Sequence, residues 1–160
     1  MTAMAPLFEG APRFLARLAL ARPFGSYPAL FERARAIAAT MPEADQVELV
    51  NAHPPLGAPP GSVSALSFRE QGFDVDAADA AAEAERSRVA AELAALNHAY
   101  EATFGFRYCV FVAGRPRADL IPGFEAALAG SRAAELHRAL TAVVDIAVDR
   151  HRTLTQEAST

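Results

Sequence analysis

Apolar residues recur along this chain at helical spacing, and polar or proline-containing segments separate the runs. Val89, Leu93, Leu96, Tyr100 and Phe104 follow one another in steps of four, three, four and four, which puts them on one stripe of a long helix closed by Gly105. Upstream, Pro12 suits the first turn of a short helix carrying Phe14, Leu15 and Leu18. Ser26 and Pro28 supply an N-cap and a first-turn proline for a second helix through Ile37. Thr40 and Glu43 stand at capping-box spacing, with Pro42 between them, and predict a third helix carrying Val47, Leu49 and Val50 toward His53. Pro54 and Pro55 stop it, and because a proline disfavours helical geometry in the residue before it, His53 is expected at a frayed helix end with its side chain free to face a cavity. After a loop over residues 57–61, residues 64–71 read as a short helix and residues 119–128 as another closed by Gly130. Ser131 caps a last long helix with Leu136, Leu140, Val143, Val144 and Ala147 apolar. Residues 77–88, rich in alanine and charge, read as a solvated arm of the central helix.

One run breaks the helical rhythm. Tyr108, Cys109, Val110, Phe111 and Val112 are β-branched or aromatic without helical spacing, so an extended buried segment is expected there. Backbone groups of such a segment have no ladder partner among helices and must bond something else, a bound ligand being one answer. The chain carries no internal repeat. These elements together predict an all-α fold: a single compact multi-helix domain over residues 1–160 with one short extended buried segment.

Composition narrows the function classes. With 160 residues, 52% of them hydrophobic and 21% charged, the chain can fill an ordinary core, and it has no apolar run long enough for a membrane span. A net charge of −4 provides no field for a phosphate backbone, which argues against nucleic acid as a partner. All 15 basic residues are arginine. The single cysteine, Cys109, excludes an internal disulfide and a thiolate zinc cluster, and within its apolar run it reads as a small buried hydrophobe. No charged-then-apolar signal peptide opens the chain, so a cytoplasmic protein is expected.

Candidate chemistry centres on His53 and on Ser67, Phe68, Arg69, Glu70 and Gln71 close behind it. An imidazole and a carboxylate are sufficient to move a proton in a buried pocket, and imidazole titrates in the physiological range. Each residue also has a structural reading: His53 as a helix-end cap, Ser67 and Glu70 as a capping box, Gln71 as a surface residue, Arg150 as a partner of Asp145 or Glu135 on one helix face. His98, His137 and His151 lack ligand spacing and receive no chemistry. One histidine and one glutamate fall short of the three protein ligands usual for catalytic zinc, so no metal is expected.

An ordered set of motifs adds to this reading. Phe8-Glu9-Gly10, Arg22-Pro23-Phe24, Ala52-His53-Pro54-x-Leu56-Gly57, Ser67-x-x-Glu70-Gln71, Leu96-Asn97-x-x-Tyr100 and Phe104-Gly105-Phe106 follow in order between about residues 8 and 154. The set resembles the OHCU decarboxylase family, the 2-oxo-4-hydroxy-4-carboxy-5-ureidoimidazoline decarboxylases of purine catabolism. The resemblance implies an all-helical, cofactor-free enzyme, usually a homodimer, that produces (S)-allantoin in urate degradation. On the family pattern His53 matches the catalytic histidine and Glu70 its carboxylate partner. Pro54, Ser67, Phe68, Arg69, Glu70, Gln71, Tyr108, Cys109, Val110, Phe111 and Val112 match substrate-binding positions, and Arg150 matches an arginine near the site. Pro55 stands where the family usually has an acidic residue, and Ala113 where an arginine is common, with Arg115 and Arg117 following Gly114 instead. Two other classes remain open at this point: a lyase or isomerase acting on another small carboxylated heterocycle, and a non-catalytic helical scaffold or binding protein.

Overall fold

Local signals start and stop most of the helices. In the computed structural model, which describes Met4, residues 6–58 and residues 80–157, α1 spans Pro12–Leu20, α2 Tyr27–Thr40, α3 Glu43–Asn51, α4 Ala80–Phe104, α5 Ile121–Leu128 and α6 Arg132–Glu157. Single 3-10 turns cover Pro6–Phe8 and Arg117–Leu120. No strand occurs among the described residues, and the fold is all-α. The short helix expected over residues 64–71 lies outside the described residues.

Ser26 is extended, and its hydroxyl accepts from the Ala29 N–H at 3.3 Å, so the predicted cap of α2 forms. The helix then runs three residues beyond Ile37. This lengthening undoes the capping box expected at Thr40 and Glu43. Thr40 is the last residue of α2, and its hydroxyl donates to the Ala36 carbonyl at 2.8 Å, leaving Pro42 to precede α3 without a side-chain cap. A threonine at a helix end can share the carbonyl four residues behind it, which gives its hydroxyl a local alternative to capping the next helix. Gln46 of α3 reaches back instead and donates to the carbonyls of Ala38 and Ala39 at 2.9 and 3.2 Å, meeting acceptors that the end of α2 leaves open.

The chain divides into two compact units, residues 1–53 with 133–160, and residues 54–132. In the first, α1 packs on α2 and on α3. Its core gathers Phe8, Phe14, Leu18, Ala34, Leu49, Val50, Val143, Val144 and Ala147, all buried, with the rings of Phe8 and Phe14 meeting edge to face at 4.9 Å. Arg17 and Arg13 of α1 reach Asp45 and Glu48 of α3 at 2.8 and 3.2 Å.

In the second unit α4 packs on α5 around Tyr100. The Tyr100 ring lies 4.6 to 5.7 Å from those of Phe104, Phe106, Tyr108 and Phe124, and Tyr108 stacks on Phe124 at 3.7 Å. Val89, Leu93, Tyr100 and Phe104 of the predicted stripe are buried, whereas Leu96 is half-buried beside a buried Asn97. Asn97 donates to the carbonyls of Leu93 and Leu56, both at 2.8 Å, and so ties the loop after Pro54 and Pro55 to α4. Gly57 in that loop has φ +77°, and a Cβ there would sit 3.0 Å from Leu93 Cδ1, so the close approach requires glycine. Residues 83–88 of α4 are exposed, in keeping with a solvated arm, and Arg88 pairs with Glu85 and Glu92 at helical spacing. No helix among the described residues is long and apolar enough to cross a membrane.

The two candidate caps separate cleanly by mutation. Ser26→Ala should lower unfolding stability by about 1 kcal/mol, whereas Thr40→Ala should change it by less than about 0.5 kcal/mol, both read from urea midpoints at constant slope.

Candidate active site

His53 is carried into the core by the way α3 ends. The helix stops at Asn51, the Ala52 N–H still bonds to the Glu48 carbonyl at 3.0 Å, and the His53 N–H closes a tighter turn onto Val50 at 3.1 Å. Pro54 denies the chain another helical turn. Leu49 and Val50, both fully buried, anchor the last turn, and His53 is left only 4% exposed. The expected helix-end position is there, but the imidazole is far better buried than a frayed end implies.

Its Nδ1 lies 3.3 Å from the Leu49 carbonyl oxygen. A carbonyl only accepts, so the neutral ring carries its proton on Nδ1 and directs the lone pair of Nε2 elsewhere. Burial first, then the charge of the Arg150 guanidinium, pushes the imidazole from its usual 6.5 down to about 4. The Glu9 carboxylate and the Leu49 carbonyl pull weakly the other way. At neutral pH His53 is therefore an uncharged base.

Arg150 is the second element of the site. Along α6 the buried residues Leu136, Leu140, Val143, Ala147 and Arg150 succeed one another in steps of four, three, four and three, so the arginine continues an apolar stripe and is only 2% exposed. It does not pair with Asp145 or Glu135. Asp145 bonds Arg35 of α2 at 2.6 Å, and Glu135 bonds Arg138 of its own helix at 2.8 Å. Arg150 instead donates through Nη2 to Glu9 at 2.7 Å, and through Nη1 to the carbonyls of Pro6 at 2.9 Å and Leu7 at 3.5 Å. Glu9 was quoted in the sequence only as part of Phe8-Glu9-Gly10. Two signals could have singled the pair out: an arginine in register with an apolar stripe, and an acidic residue in a turn before glycine.

The first unit thus brings together His53, Arg150 and Glu9. Pro54 and residues 108–112 belong to the second unit, where Tyr108, Cys109 and Val112 are buried and Val110 and Phe111 are half-buried in a segment that joins no helix. Arg115 folds back on this segment, its Nη2 donating to the Phe111 carbonyl at 2.6 Å and its Nε to that of Val112 at 2.9 Å. The carbonyls of Phe111 and Val112 are thus met within the protein. Ser67, Phe68, Arg69, Glu70 and Gln71 lie outside the described residues. Of the other histidines, His98 and His137 are exposed, and the His151 ring lies tilted by 44° against that of Tyr27, with centroids 3.7 Å apart.

A base held neutral by burial makes stability depend on pH. The unfolded chain binds a proton at His53 near pH 6.5 and the folded chain only near 4, so this contribution is complete above pH 6.5 and is lost progressively as the pH falls toward 4. The loss should reach on the order of 3 kcal/mol. Urea unfolding between pH 7 and 4.5 should show that slope in the wild type and lose most of it in His53→Gln.

Comparison with known proteins bears on the same ground. The family model described as OHCU decarboxylase matches residues 1–152. A crystal structure of an OHCU decarboxylase in the presence of (S)-allantoin superposes with a TM-score of 0.72, covering 96% of this chain and 97% of that one at 23% identity, a likeness that speaks for the fold. No curated protein matches the chain. The motif order legible in the sequence and a family match over nearly its whole length agree, and the chain belongs to the OHCU decarboxylase family of carboxy-lyases.

Proposed function

We propose that His53 is the acid/base catalyst of this decarboxylase, with Glu70 as its carboxylate partner, acting on 2-oxo-4-hydroxy-4-carboxy-5-ureidoimidazoline to release (S)-allantoin. The observation that carries the reading is the buried, neutral imidazole at the end of α3, set beside a paired arginine. In the reaction the bond to the substrate carboxylate breaks and carbon dioxide leaves. The electron pair moves into the adjoining carbon–nitrogen unsaturation, the ring nitrogen that receives the displaced pair takes a proton from solvent, and the ring carbon next to the departure site takes a second proton. The neutral Nε2 of His53 can accept the proton of the substrate hydroxyl as the new carbonyl forms and return it to that carbon from one face, which makes a single enantiomer.

Pro54, Ser67, Phe68, Arg69, Glu70 and Gln71 would frame the substrate, Gln71 offering a donor and an acceptor to the ureido group. Backbone groups of Tyr108, Cys109, Val110, Phe111 and Val112 would complete the polar cradle, and Arg150 would supply positive charge toward the carboxylate. That carboxylate must not be bound so tightly in the ground state that its departure slows. The same reading takes the chain as one domain acting as a homodimer in the cytoplasm, without a cofactor.

The test generates the substrate in situ from urate and follows the handedness of allantoin by circular dichroism. Wild type should give (S)-allantoin rapidly, and His53→Ala should lose about 10²-fold or more in kcat/KM and give slow racemic product. The acid limb of kcat/KM should fall near pH 4, because the neutral base persists to that pH. Slow racemic product from both proteins would retire this substrate in favour of another carboxylated heterocycle, and full activity in His53→Ala would remove the histidine from the mechanism.

A further inference from the structure

Arg115 turns back on the segment it follows. Its N–H closes onto the Val112 carbonyl at 3.1 Å, and the two residues between, Ala113 and Gly114, stand at φ +54° and +71°. Two left-handed residues in succession reverse the chain tightly, and alanine, unlike glycine, takes that region only at a cost. The reversal lays the guanidinium along the chain it has just left: Nε donates to the Val112 carbonyl at 2.9 Å and Nη2 to that of Phe111 at 2.6 Å. Arg115 thus commits its fork to backbone carbonyls, and no carboxylate pairs with it among the described residues.

What this leaves behind is one-sided. Among the described residues, the N–H groups of Val110, Phe111 and Val112 and the carbonyl of Val110 have no hydrogen-bond partner, although Val112 is only 6% exposed and Val110 and Phe111 are half-buried. Backbone groups in such a place are bonded in a working protein, by water or by a ligand. With the carbonyls of Phe111 and Val112 occupied, three donors remain against one acceptor, and the complement of such an edge is an oxygen that only accepts. We infer that Arg115 is a positioning residue that decides what the segment recognises: by taking up two carbonyls it turns residues 110–112 into a donor edge for a carboxylate or ring-carbonyl oxygen of a small heterocycle. The inference rests on the reading of residues 108–112 as part of the substrate cradle. The guanidinium acts through the backbone and not as a contact to the ligand, and the planar fork is what the role requires, because two carbonyls must be met at once.

The experiment reads the amide signals of residues 110–112 by NMR while hydantoin, which offers ring carbonyls alone, or hydantoin-5-acetate, which adds a carboxylate, is titrated into the full chain. In wild type those amides should shift and become protected from hydrogen exchange. A response to both compounds assigns the ring carbonyl, and a response to the carboxylate compound alone assigns the carboxylate. Amides that respond to neither overturn the inference. In Arg115→Ala the protection should be lost, and with substrate generated from urate kcat/KM should fall about tenfold or more. The loss should lie in KM, because donors on a ligand oxygen hold ground state and transition state alike, whereas a variant that is merely less folded loses kcat. Arg115→Lys keeps the charge without the fork and should resemble Arg115→Ala; recovery to within about twofold of wild type overturns the role of the paired carbonyls. If Arg115→Ala does not fold, Arg115→Lys and the wild-type titration carry the test. A wild type that makes no (S)-allantoin yet shows protected amides retires the substrate and leaves this assignment intact. A wild type that makes it while Arg115→Ala matches it in kcat/KM does the reverse.

Discussion

A guanidinium with almost no contact with water sets the conditions for the rest of the candidate site. Arg150 occupies a position that the periodicity of α6 would give to an aliphatic side chain, and a buried cation survives only when its charge and its donors are both met. Among the described residues, the N-terminal turn contributes two carbonyls and one carboxylate. Removing one partner of such a pair commonly destabilises by about 3 to 5 kcal/mol, because the other is left buried and uncompensated. The turn and α6 are thereby bound to one another through electrostatics, while Phe8 of the turn packs on Phe14 of α1.

The same arrangement explains the state of His53. Burial would hold it neutral without help, and the adjacent arginine reinforces that. The Glu9 carboxylate acts in the opposite sense and favours the protonated ring.

Much of the fold was legible because its signals are local. Ser26 with Pro28 marked the start of α2, and the spacing of Val89, Leu93, Tyr100 and Phe104 marked α4, since caps and stripes are written within a few residues of where they act. Thr40 misled because its hydroxyl had two acceptable uses, and the choice depended on how far α2 continued. The position of His53 at a helix end followed from Pro54, but its deep burial did not, because that depends on what packs over the end of α3. Asp145 and Glu135 were reasonable partners for Arg150 on helical spacing alone, yet they were taken by Arg35 and Arg138. Glu9, which Arg150 does meet, lies 141 residues away and leaves no local pattern.

That separation has a consequence in time. The ion pair closes nearly the whole chain upon itself, so it cannot exist while the protein is being synthesised: Glu9 and His53 leave the ribosome long before Arg150 is made. Long-range contacts of this kind are intrinsically late and demand that the intervening chain be ordered first. The nascent protein therefore carries His53 and Glu9 in an electrically different setting from the finished one, and the setting is completed only when α6 docks.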